Sequence, residues 1–168
     1  VGMKIGGQRI IVIPSNLAYG PQGMGPIPPN TNIKVLIELV SAKEAIVAKM
    51  WDVDTTLFKT TASGLKYVIV NEGEGELVGK EKQITVHYSG FLLDGTRFDS
   101  SVERDEPFTF IAGAGQVIPG WDEGVQLMKK GSKARFIIPS NLAWGNRDLG
   151  KIPPNSSVIF DVEVLDIK

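Results

Sequence analysis

Seven of the aromatic side chains in the second half of this 168-residue chain, Tyr88, Phe98, Phe108, Phe110, Trp121, Trp144 and Phe160, are ones that the strands could turn inward, and a carboxylate, Asp99, directly follows one of them. Such a set does one of two things. It fills a hydrophobic core, or it lines an apolar pocket with few polar groups, suited to a ligand such as a proline ring. Trp121 poses the choice most sharply. In VIPGWDEGVQL at 117–127, Pro119 and Gly120 make a turn, and Trp121, Val125 and Met128 then recur at helical spacing. The indole therefore opens a short helix beside the backbone N–H of Ile118, where it is either core or the floor of a pocket. Asp99, in apolar and small-residue surroundings, is expected to be a partly buried carboxylate held by hydrogen bonds.

Other chemistries find less support. His87 is the only histidine and there is no cysteine, which argues against a metal site, a nucleophilic triad or a disulfide framework and leaves the compartment open. His87 is expected to be a structural strand residue. Asp94, Asp99, Glu103, Asp105 and Glu106 form an acidic cluster that could hold two carboxylates for hydrolysis, yet most sit in a polar loop where solvated charge is the default. GAGQVIPG at 113–120 lacks the glycine spacing of a dinucleotide fingerprint and reads as a loop. Asn155-Ser156-Ser157 fits a glycosylation acceptor only as a common tripeptide. Eighteen Lys and Arg against nineteen Asp and Glu give a net charge of −1, with no basic cluster to suit nucleic acid. No apolar run reaches the roughly 18 residues of a membrane span, and no charged-then-apolar signal segment opens the sequence. No cofactor is expected.

The elements that would position these residues are mostly strands. Nineteen Gly, ten Pro and many short runs of β-branched and aromatic residues argue for a β-rich chain with frequent turns. Strands are expected over 65–71, 83–93, 96–100, 108–111, 133–138 and 158–167, with a Gly/Glu loop at 72–76, a charged loop at 101–106 and the helix at 121–128. One short helix can bury its apolar stripe only against a sheet. The fold class is therefore α+β, an antiparallel five- to six-stranded sheet curved around one short α-helix.

The chain also repeats itself. Pro14-Ser15-Asn16-Leu17-Ala18 recurs as Pro139-Ser140-Asn141-Leu142-Ala143, and Ile27-Pro28-Pro29-Asn30 as Ile152-Pro153-Pro154-Asn155, each pair 125 residues apart. Residues 1–42 are thus expected to be the C-terminal half of a second domain of the same kind, with strands at 9–13 and 33–39. A longer parent with two complete domains would account for a half-domain, whose apolar faces are otherwise uncovered. Residues 43–62 read as a linker. Ile46, Met50 and Val53 give it helical spacing over 42–54. The complete domain spans 63–168.

Residues 63–168 resemble the FKBP family of peptidyl-prolyl cis/trans isomerases along their whole length. The resemblance rests on VHYSG at 86–90, LDGTRFDSS at 93–101, PFTF at 107–110, VIPGWDEG at 117–124, and the closing IPSNLAWG, IPPN and VIFDVEVL. TASGLKY at 61–67 looks like the entry to the catalytic domain of bacterial members with extra N-terminal domains. The resemblance implies that Trp121 is the floor beneath a prolyl ring and that Tyr88, Phe98, Phe108, Val117, Ile118 and Phe160 are walls. It further implies Asp99 as a polar rim group, the Ile118 N–H as donor to a substrate carbonyl, and Ile152 on the loop above. Trp144 stands where the family usually has Tyr, so an indole N–H that only donates replaces a hydroxyl. That bears on macrolide inhibitors more than on isomerisation. The implied activity is rotation about X–Pro bonds in folding or unfolded proteins. The alternatives are a non-catalytic peptide-binding or chaperone module using the same groove and, more remotely, a hydrolase. Residues 1–42 lack counterparts of Tyr88, Phe98, Asp99 and Trp121 and carry Val35 at the Phe160 position, so no activity is expected from them. Bacterial multidomain relatives point to the periplasm or cell envelope.

Overall fold

The computed structural model describes residues 2–42 and 46–168, which form two compact units, Val1–Ala45 and Ile46–Lys168. In the first unit, β1 (Gln8–Ile13) pairs antiparallel with β2 (Ile33–Glu38), Ile10 facing Leu36 and Ile11 facing Val35. A long Pro/Gly loop joins them, opening with a single 3₁₀ turn at Ser15–Leu17.

The second unit opens with an extended segment and a 3₁₀ turn at Thr55–Leu57, followed by β3 (Lys59–Thr60), β4 (Lys66–Asn71), β5 (Glu74–Leu77), β6 (Gln83–Leu92) and β7 (Arg97–Ser100). Then come α1 (Ser101–Arg104), β8 (Phe108–Ile111), α2 (Pro119–Val125), β9 (Lys129–Lys130), β10 (Lys133–Ile138) and β11 (Val158–Ile167). The main sheet runs β3-β4-β10-β11-β6-β7, with β8 pairing the other end of β6, and every pairing is antiparallel. This is the α+β arrangement that the sequence implies. The two-residue β3, drawn from the polar stretch before residue 63, brings the sheet to seven strands. Two loops acquire regular structure. Part of the Gly/Glu segment becomes β5, pairing β9, and the charged stretch winds into the one turn of α1 because the Ser100 hydroxyl accepts from the Glu103 N–H.

Helix α2 owes its place to its glycines. A Cβ on Gly120 would lie 2.4 Å from Ile138, and one on Gly124 would lie 2.8 Å from the Phe136 ring. Bare backbone at this i, i+4 pair lets the helix press onto β10, while Trp121 and Val125 on the same helix are buried. Pro119 at the start costs nothing, since its missing N–H would have no helical partner.

The other face of the sheet corrects one expectation. No helix forms over 46–54, and residues 43–45 of the expected linker helix lie outside the described residues. The segment's backbone is bonded to side chains of the sheet instead of to itself. The Ala48 N–H donates to Glu103 at 2.9 Å and its carbonyl accepts from Arg97 at 3.2 Å. The Trp51 N–H donates to Asp161 at 2.8 Å and its carbonyl accepts from Arg135 at 2.6 Å. Arg135 and Asp161 are cross-strand neighbours joined by two parallel hydrogen bonds of 2.6 and 2.7 Å, and both are buried. These tertiary bonds outweigh a helical apolar spacing. Residues 46–62 thus fall in the second unit.

The repeat is structural as well as sequential. Asn155 N–H donates to Gly145 O and Gly145 N–H to Ser140 O; in the first unit Asn30 N–H donates to Gly20 O and Gly20 N–H to Ser15 O. Where β10 and β11 carry the buried Arg135–Asp161 pair, the hairpin has Ile10 and Leu36, 56% and 63% exposed.

Candidate active site

The pleat of β6, β7 and β11 decides which rings meet. Gly90 on β6 faces Asp99 on β7 and Phe160 on β11. A Cβ there would sit 2.6 Å from the Phe98 ring and 2.8 Å from that of Phe160, so only glycine lets the two rings close edge to face, 5.5 Å apart. Beneath them lies Trp121, 4% exposed, with Phe160 at 5.1 Å and Tyr88 at 5.2 Å, both nearly perpendicular to it. Phe110 lies against Trp121 at 5.8 Å. Trp144, on the long loop before β11, meets Phe98 edge to face at 6.0 Å.

These rings border an open cavity of about 1020 Å³. Tyr88, Phe98, Asp99, Phe108 and Val117 all line it, as do Ile118, Trp121, Trp144, Ile152 and Phe160. All ten residues singled out in the sequence are therefore brought together. Phe110 is the aromatic that is not among the lining residues; it is buried behind Trp121.

Asp99 is the polar corner. Its carboxylate accepts from the Tyr88 hydroxyl at 2.5 Å, from the Ser100 N–H at 2.8 Å and from the Arg104 guanidinium, which also donates to the Tyr88 oxygen at 3.1 Å. Burial pushes the Asp99 carboxyl up, but the hydrogen bonds from Tyr88, Arg104 and Ser100, with the Arg104 charge, outweigh it and hold the group below the usual carboxylate range. Burial, and then the Asp99 carboxylate, push the Tyr88 phenol up, so that it remains a donor. A depressed carboxyl contributes stability that is present above the unfolded value of about 3.9 and lost as pH falls through the folded one. Asp99→Asn is therefore expected to flatten the fall of Tm below about pH 4. An unchanged Tm profile between that variant and the parent would contradict the assignment.

Ile118 ends the approach to α2, and its backbone N–H donates no hydrogen bond among the described residues. Its carbonyl accepts from Trp121 N–H at 2.9 Å and Asp122 N–H at 3.1 Å, and the Asp122 carboxylate in turn accepts from Gly113 N–H at 2.7 Å and Gly115 N–H at 2.8 Å. The Trp121 indole N–H is buried and likewise has no partner among the described residues.

The acidic cluster does not hold two free carboxylates. Asp99 is paired with Arg104 and Glu103 with Arg97, and Asp94 accepts from Thr96 N–H in its own turn. His87 contacts the Ser101 hydroxyl at 3.0 Å, and no cluster of three metal-ligating side chains occurs among the described residues. Sequence reasoning missed Arg104, Gln116, Asn141, Arg147 and Lys151. Arg104 could have been found, because a Ser100-capped turn returns it to Asp99; the others sit on loops whose course no local pattern specifies.

The family described as FKBP-type peptidyl-prolyl cis-trans isomerase matches this chain over residues 1–40 and 74–165. The chain belongs to that family. Both stretches of FKBP sequence agree with the internal repeat. The FKBP-type peptidyl-prolyl cis-trans isomerase FkpA of Aeromonas hydrophila is 52% identical over 110 residues, covering 66% of this chain and 40% of that protein. A probable FkpA of Neisseria meningitidis is 53% identical over 110 residues, again covering 40% of the relative. This chain thus spans about two fifths of the length of these FKBP relatives. The crystal structure of FkpA from Escherichia coli has a TM-score of 0.62 at 45% identity, covering 67% of this chain and 52% of that one. That of AtFKBP13 has a TM-score of 0.64 at 37% identity, covering 66% and 98%.

Proposed function

We propose that residues 46–168 form a peptidyl-prolyl cis/trans isomerase domain acting on X–Pro bonds of unfolded or folding polypeptides, without a covalent intermediate. The observation that carries this is an aromatic-walled cavity whose one carboxylate is already paired and whose edge offers the unused Ile118 N–H. Rotation about an X–Pro bond faces a barrier of roughly 18–20 kcal/mol because it breaks amide resonance, and takes tens to hundreds of seconds unaided. Resonance makes the planar amide more polar than the twisted one. Apolar walls around Trp121 therefore favour the twisted state, while the Ile118 N–H holds the carbonyl in place. A millionfold acceleration needs about 8 kcal/mol of such preference, so desolvation and orientation act together.

Residues 1–42 add no second site in this reading, since Val35 stands where Phe160 closes the cavity. Trp144 in place of the family's usual Tyr is expected to weaken macrolide inhibitors more than turnover. A place in the bacterial cell envelope is inferred from the resemblance; among the described residues no helix is long and apolar enough to cross a membrane. The deciding measurement is a protease-free assay on a short X–Pro peptide. Acceleration saturating with peptide is expected. Binding without acceleration by folded protein would replace the enzyme with a chaperone-like peptide-binding module.

A further inference from the structure

The side chains that line the cavity are rich in hydrogen-bond donors and short of acceptors. Asp99 is occupied by Tyr88, Ser100 and Arg104, and the Tyr88 oxygen accepts from Arg104. The Gln116 amide oxygen accepts from the Ile111 N–H at 2.9 Å, which leaves its NH₂ to donate, and Asn141 supplies one group of each kind. Against these stand Arg147 and Lys151, both lining the cavity and both without an ion pair or side-chain hydrogen bond among the described residues. The Trp144 indole N–H adds another donor that is unused among the described residues. Asp148, beside Arg147, accepts from Gly150 N–H at 2.8 Å within its own turn and does not line the cavity. With Asp99 balanced by Arg104, two uncompensated cations remain on one wall of an apolar groove.

We infer that, among X–Pro segments with charged flanking residues, this groove favours Asp or Glu over Lys, an inference that rests on the reading of the cavity as a prolyl-peptide site. A carboxylate is acceptor-only, and it would complete the donors that the wall leaves unused. The planar guanidinium of Arg147 can hold it with two parallel bonds, and Lys151 adds a second charge. A neighbouring lysine in the peptide instead brings like charges together. Both cations are exposed, so the effect is modest and screened: the Debye length shrinks from about 10 Å at 0.1 M salt to about 3 Å at 1 M.

The test uses the whole chain and three peptide series in which the residues flanking one proline are Glu, Gln or Lys. Turnover is followed by protease-free exchange and binding by intrinsic tryptophan fluorescence. Glu above Gln above Lys is expected in both, with about 3- to 10-fold between the extremes at low salt, narrowing at high salt. Arg147→Glu with Lys151→Glu is expected to invert the order. Equal values for the three series, or an order that the double reversal does not move, would overturn the preference and leave the isomerase standing. Binding in the stated order without turnover keeps the preference and removes the enzyme. Folded protein that neither binds nor turns over any peptide overturns both.

Discussion

Trp121→Ala is expected to lower kcat/KM on a short X–Pro peptide by about 10- to 100-fold, since removal of the ring forfeits about 1.5–3 kcal/mol of apolar contact with the prolyl group. The same change empties the centre of the aromatic set, where Trp121 meets Tyr88, Phe110 and Phe160 within 6 Å. A loss of about 3–5 kcal/mol in stability should accompany it. Trp121→Phe separates the two effects, because a smaller ring keeps part of the packing. It should fold, bind more weakly and turn over more slowly. Circular dichroism and urea titration check the fold. A folded Trp121→Ala variant with the parent's kcat/KM would remove the pocket assignment.

The second large effect lies on the opposite face. Asp161→Leu leaves Arg135 buried without its partner and is expected to cost about 3–5 kcal/mol in the free energy of unfolding, measured by urea titration. Breaking a buried pair from one side is the costly act. Replacing both members, as the hairpin has done with Ile10 and Leu36, should recover most of the loss. The double variant Arg135→Ile, Asp161→Leu should nevertheless free the segment around Trp51, whose N–H and carbonyl both bond to the pair. Faster proteolysis there, with the sheet intact, is the expected sign. A single variant as stable as the parent would show that the pair contributes nothing net.

What the sequence made legible follows from what local patterns encode. Runs of β-branched and aromatic residues in β6 and β11, and the helical spacing of Trp121, Val125 and Met128, report burial directly, so the sheet and α2 could be read from local pattern, whereas the ten lining positions came from the resemblance. Met128 lies past the end of α2 yet is fully buried, because the spacing marks the buried face and not where the helix stops. Residues 46–54 misled for the opposite reason. Their backbone partners, Glu103, Arg97, Asp161 and Arg135, are 49–110 residues away, and no window along the chain contains them. The positive side of the cavity was hidden similarly. Arg147 and Lys151 look like any solvated loop charges until Ile152 and Trp144 fix where that loop runs.

The strand order has a consequence for synthesis. β11, the last strand of the sheet to leave the ribosome, is not an edge; it lies between β10 and β6 and brings Phe160 with it. Until it arrives, the sheet is two unconnected parts with a gap at the centre, and the cavity lacks a wall. Elongation at about 5–20 residues per second leaves that seam exposed for seconds. A nascent chain stopped short of Val158 therefore offers two bare strand edges and a cavity without its Phe160 wall, so the aromatic set assembles only when β11 slots between β10 and β6.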